Sequence, residues 1–120
     1  MSERAIPPDD ITPRDFFTRW VPDAVATDAE RRRRLGETRT TIVFQIEGNC
    51  GGCFTLRIAE GIVRGEAGDE PEPDLRVRVD EATWRRLNSG DLSAPQALLS
   101  RKVRLDGDFL LGLKLHLILG

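Results

Sequence analysis

The chain has 120 residues with 39% apolar and 32% charged content, which is typical of one globular domain and excludes a disordered or fibrous protein. Its formal net charge of -2 at pH 7 leaves no excess of lysine and arginine of the kind that a nucleic-acid-binding surface needs. The first residues lack the apolar core of a signal peptide, and no apolar run approaches the roughly 18 residues of a membrane span. We therefore expect a cytoplasmic protein.

The N-terminal part predicts a short lead-in followed by a helix. Residues 1–11 contain prolines and charges without periodicity, which predicts a flexible lead-in before one domain over residues 12–120. Thr12 then precedes a proline and the acid Asp15, a capping pattern that predicts the start of a short helix. Pro22 is predicted to end this helix, because the residue before a proline disfavours helical backbone.

A second helix is predicted from the capping pattern of Thr27 and Glu30, which precedes four consecutive arginines at residues 31–34. Gly36 is the predicted end of this helix. Because acidic residues flank the arginines, the run is typical of a solvated helix face. The alternative is attraction to anionic lipid headgroups, which would bring the protein into transient contact with a membrane.

From Thr41 the apolar residues recur with a period of two, which predicts half-buried strands. Short turns join the first three strands into an antiparallel meander. A sheet with one apolar face needs helices to cover that face. We therefore predict an α+β fold with a five-stranded, mostly antiparallel sheet and helices covering one face. The apolar strand positions are Ile42, Phe44 and Ile46; Phe54, Leu56 and Ile58; residues around 62–66; Leu75, Val77 and Val79; and Val103 and Leu105.

Two helices are predicted between the fourth and fifth strands. Asp80 is expected to cap the first, which reaches about Leu87 and is closed by Gly90. Ser93 begins the second, with Gln96 at the position that completes a capping box. Both helices are short, so each is expected to cover only a small part of the sheet.

The final helix, predicted over residues 107–119, is the most informative element, because its apolar side chains form two stripes rather than one. Leaving the second stripe in water would lose about 1.5 to 3 kcal/mol for each large side chain. Two apolar neighbours are therefore implied, and ordinary core packing, a bound ligand and a dimer interface all satisfy that requirement. The stripes are Phe109, Leu110, Leu113 and Leu117 on one side, and Leu111, Leu115 and Ile118 on the other.

The sequence from Asp80 onward contains several short motifs in a particular order. An acidic helix start leads to a Ser-Gly turn, a proline-containing helix, a strand, a Gly-Asp helix start and a leucine-rich ending. This order resembles the sterol carrier protein 2 family, and the layout agrees from Thr41 to Leu117. The motifs occupy residues 80–84, 88–92, 95–100, 102–108 and 110–115.

The resemblance implies a hydrophobic tunnel between sheet and helices that binds sterols, fatty acyl chains or other lipids. It implies neither catalysis nor a cofactor, and it is compatible with transfer or with sequestration of the ligand by a monomer or a homodimer. A site of about 300 to 1,000 Å³ with few polar groups is usual for such ligands. The residues expected to surround the ligand are Phe44, Ile46, Phe54, Leu56, Trp84, Leu98, Phe109, Leu113 and Leu117.

One feature leaves an alternative open. The N-terminal aromatic residues Phe16, Phe17 and Trp20 either line this cavity or fill it. If side chains close the cavity, the C-terminal leucine-rich helix becomes a docking surface for a second copy or for another protein. The alternative function is therefore a protein-interaction module without a ligand.

Cys50 and Cys53 form a C-x-x-C motif in a loop between two strands, whereas a redox motif normally precedes a helix that lowers the thiol pKa. Structural zinc needs four ligands, and the only histidine is His116. Ordinary turn thiols are therefore expected, with a reversible disulfide or a metal shared across a dimer as alternatives. His116 has no neighbouring nucleophile in sequence, which favours a partly buried structural role.

Overall fold

The computed structural model describes residues 7–112. Its centre is a five-stranded sheet that is mostly antiparallel and carries helices, so the predicted α+β class is confirmed. Across the sheet the strand order is β3-β2-β1-β4-β5. The strands are β1 (Thr40–Glu47), β2 (Gly52–Ala59), β3 (Ile62–Ala67), β4 (Leu75–Asp80) and β5 (Val103–Gly107).

Strands β1, β2 and β3 form the predicted meander, and β5 pairs antiparallel with β4. The pair β1–β4 is parallel, so the sheet is mixed. The parallel pair arises because residues 68–74 carry the chain from one edge of the sheet to the other side of β1. This connection lies across the back of the sheet, where Thr55 Oγ1 donates a hydrogen bond to the Gly68 carbonyl at 2.9 Å. It buries Thr55 and its register partner Val43.

The front face of the sheet is continuously apolar. Residues that pair across neighbouring strands point to the same side, and the register pairs Phe44 with Phe54 and with Val77. The same rule places Ile42, Leu56 and the other alternating apolar residues on this face. All five of these side chains are buried, so the core lies between this face and the helices.

The N-terminal helical stretch runs further than the sequence predicts. It consists of α1 (Pro13–Asp15), a π-helical segment (Phe16–Trp20) and α2 (Val21–Thr27). The Thr12 side chain caps its start by accepting from the Asp15 amide at 3.1 Å, as predicted. The predicted end at Pro22 is wrong, because the π segment finishes first. Pro22 therefore lies in the first turn of a new α segment, where a missing N–H costs little.

The next helix is α3 (Ala29–Leu35), which ends at Gly36 as predicted. Its cap is Asp28 rather than the predicted Thr27, because the Asp28 carboxylate accepts from the amides of Glu30 and Arg31. The prediction of a wholly solvated arginine face is wrong for Arg31, which is 2% exposed. Its guanidinium lies 5.4 Å from the centre of the Trp20 ring, and that cation-π contact accommodates a buried charge.

The two helices predicted between β4 and β5 are confirmed as α4 (Glu81–Ser89) and α5 (Ala94–Leu99). Asp80 caps α4, Gly90 closes it in left-handed backbone, and Ser93 and Gln96 form the complete capping box of α5. Residues 109–112 are helical, with the Asp108 carboxylate accepting from the Leu111 amide at 3.2 Å. The rest of the predicted final helix lies outside the described residues.

The predicted lead-in also lies partly outside the described residues. Within its described part, the Arg85 guanidinium on α4 donates to the carbonyls of Asp9 and Ile11, at 3.1 Å each. Ile11 packs against the core. These contacts connect the start of the described chain to α4, close to the point where α1 begins.

Candidate functional site

Five of the residues predicted to surround a ligand come together in the structure. Phe44 and Ile46 of β1 share the front face with Phe54 and Leu56 of β2, and all four are buried. Trp84, on α4, is 4% exposed and belongs to the same apolar cluster. The local sequence explains this arrangement, since alternation along β1 and β2 directs these side chains to one side.

The N-terminal aromatic residues occupy the space above this face. The Phe17 ring stacks on Phe44, with ring centres 4.5 Å apart, and on Phe54 at 5.5 Å. Phe16 meets Trp84 edge to face at 5.4 Å and stacks on Trp20 at 5.3 Å. Side chains of the π segment therefore lie directly against the residues predicted to hold a ligand.

Gly65 on β3 allows this close approach, and the sequence reasoning above missed it. A Cβ atom at this position would lie 1.8 Å from the Phe17 carbonyl oxygen, which is a severe overlap. The absence of a side chain lets the backbone of the π segment rest on the sheet. The available signal was a glycine inside a strand pattern, which is typical of a site where another backbone approaches.

Of the remaining predicted residues, the two that the structure describes, Leu98 and Phe109, are not part of this cluster. Leu98 on α5 is half-buried, and Phe109 is 58% exposed. Leu113 and Leu117 lie outside the described residues, as does His116. Among the described residues of this helix, 109–112, Leu111 from the other apolar stripe is buried in the core at 7% exposure.

Gly112 explains part of this orientation. A Cβ atom on Gly112 would lie 2.6 Å from Leu105 Cδ1, so the start of the final helix sits tightly on β5. In this arrangement Leu111 is buried against the sheet, whereas Phe109 and Leu110 are exposed at 58% and 75%. Periodicity alone does not distinguish the two stripes, because both are apolar.

Two polar atoms near the cluster are buried without a hydrogen-bond partner among the described residues. They are the indole Nε1 of Trp84 and the carboxylate Oε1 of Glu81, both on α4. Between them, Thr83 donates hydrogen bonds from its side chain and its backbone to Asp80, and these bonds lower the pKa of the Asp80 carboxyl. The first turn of α4 therefore contains satisfied cap atoms next to an unsatisfied donor and an unsatisfied acceptor.

Two surface clefts lie away from the front-face residues and Trp84. One, of about 430 Å³, is lined by the residues before β1 and β4 and by the start of the final helix, including Thr38, Asp74 and Leu110. The other, of about 260 Å³, lies between the start of the described chain and α4, with Pro7 and Arg86 in its walls. Neither is lined by Phe44, Phe54 or Trp84.

The C-x-x-C motif lies at the hairpin that joins β1 to β2. Cys50 is exposed, Cys53 is half-buried, and both are free thiols. Over the described ranges, no group of three or more His, Cys, Asp or Glu side chains is arranged to hold a metal ion. None of the helices described here has the length and apolar character needed to cross a membrane.

Comparison with known proteins gives a family and a fold. The model of the SCP-2 sterol transfer family matches residues 22–120. No curated protein matches the sequence. Among solved structures, the sterol carrier protein domain 2 of Helicoverpa armigera has a TM-score of 0.70 at 18% identity, covering 92% of this chain and 88% of that one.

Two further structures extend this comparison. The palmitated sterol carrier protein 2 like 2 of Aedes aegypti has a TM-score of 0.66 at 19% identity, covering 88% of this chain and 92% of that one. The sec-alkylsulfatase Pisa1 from a Pseudomonas species has a TM-score of 0.67 at 25% identity over 89% of this chain. The chain spans only 16% of that sulfatase.

Proposed function

The chain belongs to the SCP-2 sterol transfer family, and we propose that it binds a lipid without catalysing a reaction, in the apolar layer between the sheet and the helices. The observation that carries this proposal is the continuous apolar front face of β1 and β2, which is covered by aromatic side chains. Its ligand-contacting residues are Phe44, Ile46, Phe54, Leu56 and Trp84. The structure of a palmitated relative from Aedes aegypti supports a ligand with an acyl chain.

We infer that a ligand takes the place of Phe17. The ring of Phe17 is 1% exposed and lies flat on Phe44, which is the way an apolar ligand would lie on the same surface. Its backbone belongs to a π segment, a type of structure that is common at functional sites. Movement of this segment away from the sheet would open the layer.

Comparing the state with Phe17 on the sheet and the state with a ligand in its place favours long ligands. Removing a buried phenylalanine from a core costs about 3 to 5 kcal/mol. Each buried methylene of a lipid contributes about 0.8 kcal/mol. A ligand that buries more than about six methylenes therefore offsets the displacement of Phe17, whereas a shorter one does not.

The likeness to the alkylsulfatase concerns a small part of that longer protein. Its activity is therefore not part of this proposal. The continuous apolar layer supports binding of an apolar ligand as its function. Because the family is named for sterol transfer, we further propose that the bound lipid exchanges with membranes.

Native mass spectrometry of the gently purified protein tests the proposal. We expect a species heavier than the chain by the mass of one lipid, and micromolar or tighter binding of a fluorescent fatty acid or sterol probe. Movement of the probe between donor and acceptor vesicles tests exchange. Protein without extractable lipid that also binds neither probe would overturn the proposed function.

A further inference from the structure

Glu81 and Trp84 are placed to act together. They lie three residues apart on α4, a spacing that puts two side chains on the same face of a helix. The indole Nε1 of Trp84 is a hydrogen-bond donor, and the carboxylate Oε1 of Glu81 is an acceptor. Both atoms are buried and lack a partner within residues 7–112. A buried polar group without a partner costs about 1 to 3 kcal/mol, so each of these atoms would gain from a bound polar group.

The Trp84 ring lies at the edge of the proposed ligand layer, and Glu81 lies on the same helix. The Trp84 ring is 5.4 Å from Phe16 and 6.3 Å from Phe17, the ring that a ligand would replace. Glu81 lies beside the hairpin after β1, where a Cβ atom on Gly48 would come within 3.0 Å of the Glu81 Cβ. Displacement of Phe17 would therefore open the apolar layer next to the Trp84 ring, which shares a face of α4 with Glu81.

We propose that Trp84 Nε1 and Glu81 Oε1 bind the hydroxyl group of a lipid alcohol, either a sterol or a long-chain alcohol. This inference rests on the proposed function. The hydroxyl oxygen accepts a hydrogen bond from the indole N–H, and the hydroxyl group donates a second hydrogen bond to the Glu81 carboxylate. One ligand group therefore satisfies both buried atoms. No covalent step is involved.

The same pair discriminates against free fatty acids. A ligand carboxylate has no proton to donate and brings a second negative charge beside the Glu81 carboxylate. Repulsion between like charges is strong where the surroundings are buried. A pure hydrocarbon leaves both buried atoms without a partner, so it also binds more weakly than the alcohol.

The experiment compares hexadecanol, hexadecanoate and hexadecane as competitors of a fluorescent probe. We expect hexadecanol to bind roughly 5- to 10-fold more tightly than either of the others, the effect of about one hydrogen bond. Trp84→Phe keeps an aromatic ring and removes the donor, so it should reduce the preference for hexadecanol over hexadecane, with the hydrogen bond to Glu81 remaining. Glu81→Gln removes the charge and should raise the affinity for hexadecanoate relative to hexadecanol.

Trp20→Phe is the matched control, because the chain has two tryptophans and Trp20 stacks on Phe16 outside this pair. A second measurement uses the wild-type protein, so it does not depend on whether the Trp84→Phe protein folds. In the wild type, the indole N–H resonance of Trp84 should move further downfield when hexadecanol binds than when hexadecane binds. The Trp20→Phe spectrum identifies which of the two indole signals belongs to Trp84.

The outcomes separate this inference from the proposed function. If none of the three compounds binds, both the proposed function and the hydroxyl site are contradicted. If hexadecane and hexadecanol bind equally and shift the Trp84 indole signal equally, the chain still binds lipids, but the hydroxyl site is overturned.

Discussion

At the scale of single residues, Phe17 connects the N-terminal helices with the sheet. Its ring is buried between Phe44 and Phe54, and its carbonyl rests on the backbone of Gly65. The same residue therefore stabilises the ligand-free fold and competes with the proposed ligand. Removing the ring should therefore lower the stability of the fold and strengthen ligand binding.

Phe17→Ala should lower the free energy of unfolding by about 3 to 5 kcal/mol, because it leaves a cavity in the core. It should also tighten the binding of a fluorescent lipid probe, because no ring has to be displaced. Urea unfolding and probe titration measure the two effects. Phe109→Ala is the matched control, since Phe109 is 58% exposed and should change stability by about 0.5 kcal/mol or less. Unchanged or weaker probe binding by a folded Phe17→Ala protein would argue against displacement.

Gly65→Ala should destabilise the protein by more than about 2 kcal/mol, because its Cβ would overlap the Phe17 carbonyl oxygen. The control is Gly61→Asn. Gly61 has a φ of +74°, a Cβ there would have nothing within 4 Å, and asparagine tolerates that backbone region. Thermal unfolding of both variants measures the difference. Equal melting temperatures would show that the π segment and β3 separate without cost.

At the scale of secondary structure, local signals were sufficient for most helix starts and strands. Thr12, Asp80 and Ser93 were predicted as caps because a cap depends on residues only three positions apart. The end at Pro22 was predicted wrongly, because a proline stops a regular helix, and the π segment before it depends on packing. Which side of residues 109–112 faces the sheet was also beyond sequence reasoning, because both stripes are apolar; in the structure Leu111 is buried and Gly112 lies close to Leu105.

The cap of α4 leads to a pH prediction. Hydrogen bonds from Thr83 lower the pKa of Asp80 in the folded protein below its ordinary value of 3.8. The stabilisation is therefore complete above the unfolded-state pKa and is lost as the pH falls through the lower folded-state value. Asp80→Ala should cost about 1 kcal/mol at pH 7. The difference from wild type should shrink in strong acid.

Asp80→Asn separates charge from capping. Asparagine is an effective cap without a titrating group, so this variant should retain most of the stability at pH 7. The free energy of unfolding of this variant should also change less than that of the wild type as the pH falls, because residue 80 no longer titrates. Denaturant unfolding at several pH values measures both variants, and a cost for Asp80→Ala that did not change with pH would contradict the role of the carboxylate.

At the scale of the whole molecule, the class of fold was predictable, whereas the exact pairing was not. Alternation identified all five strands, but the parallel pair of β1 and β4 depends on where residues 68–74 cross the back of the sheet. Arg57 and Arg76 hold that crossing through ion pairs with Glu70 and Asp69, which lie beyond the reach of local cap and turn patterns. The front-face residues Phe44 and Phe54 were predictable by alternation, while their contact with Phe17 required the assembled structure.

Ligand length should control the stability of the whole domain. A ligand present at 100 times its Kd stabilises the folded state by about 2.7 kcal/mol. For a domain of this size that corresponds to an increase in Tm of roughly 10 °C. Hexadecanol should produce this increase, whereas butanol at the same concentration should produce none, because it buries too few methylenes to offset the displacement of Phe17. The Phe17→Ala protein should respond to shorter alcohols than the wild type does, and calorimetry over the alcohol series measures that threshold. The same threshold in both proteins would mean that ligands bind elsewhere than under the π segment.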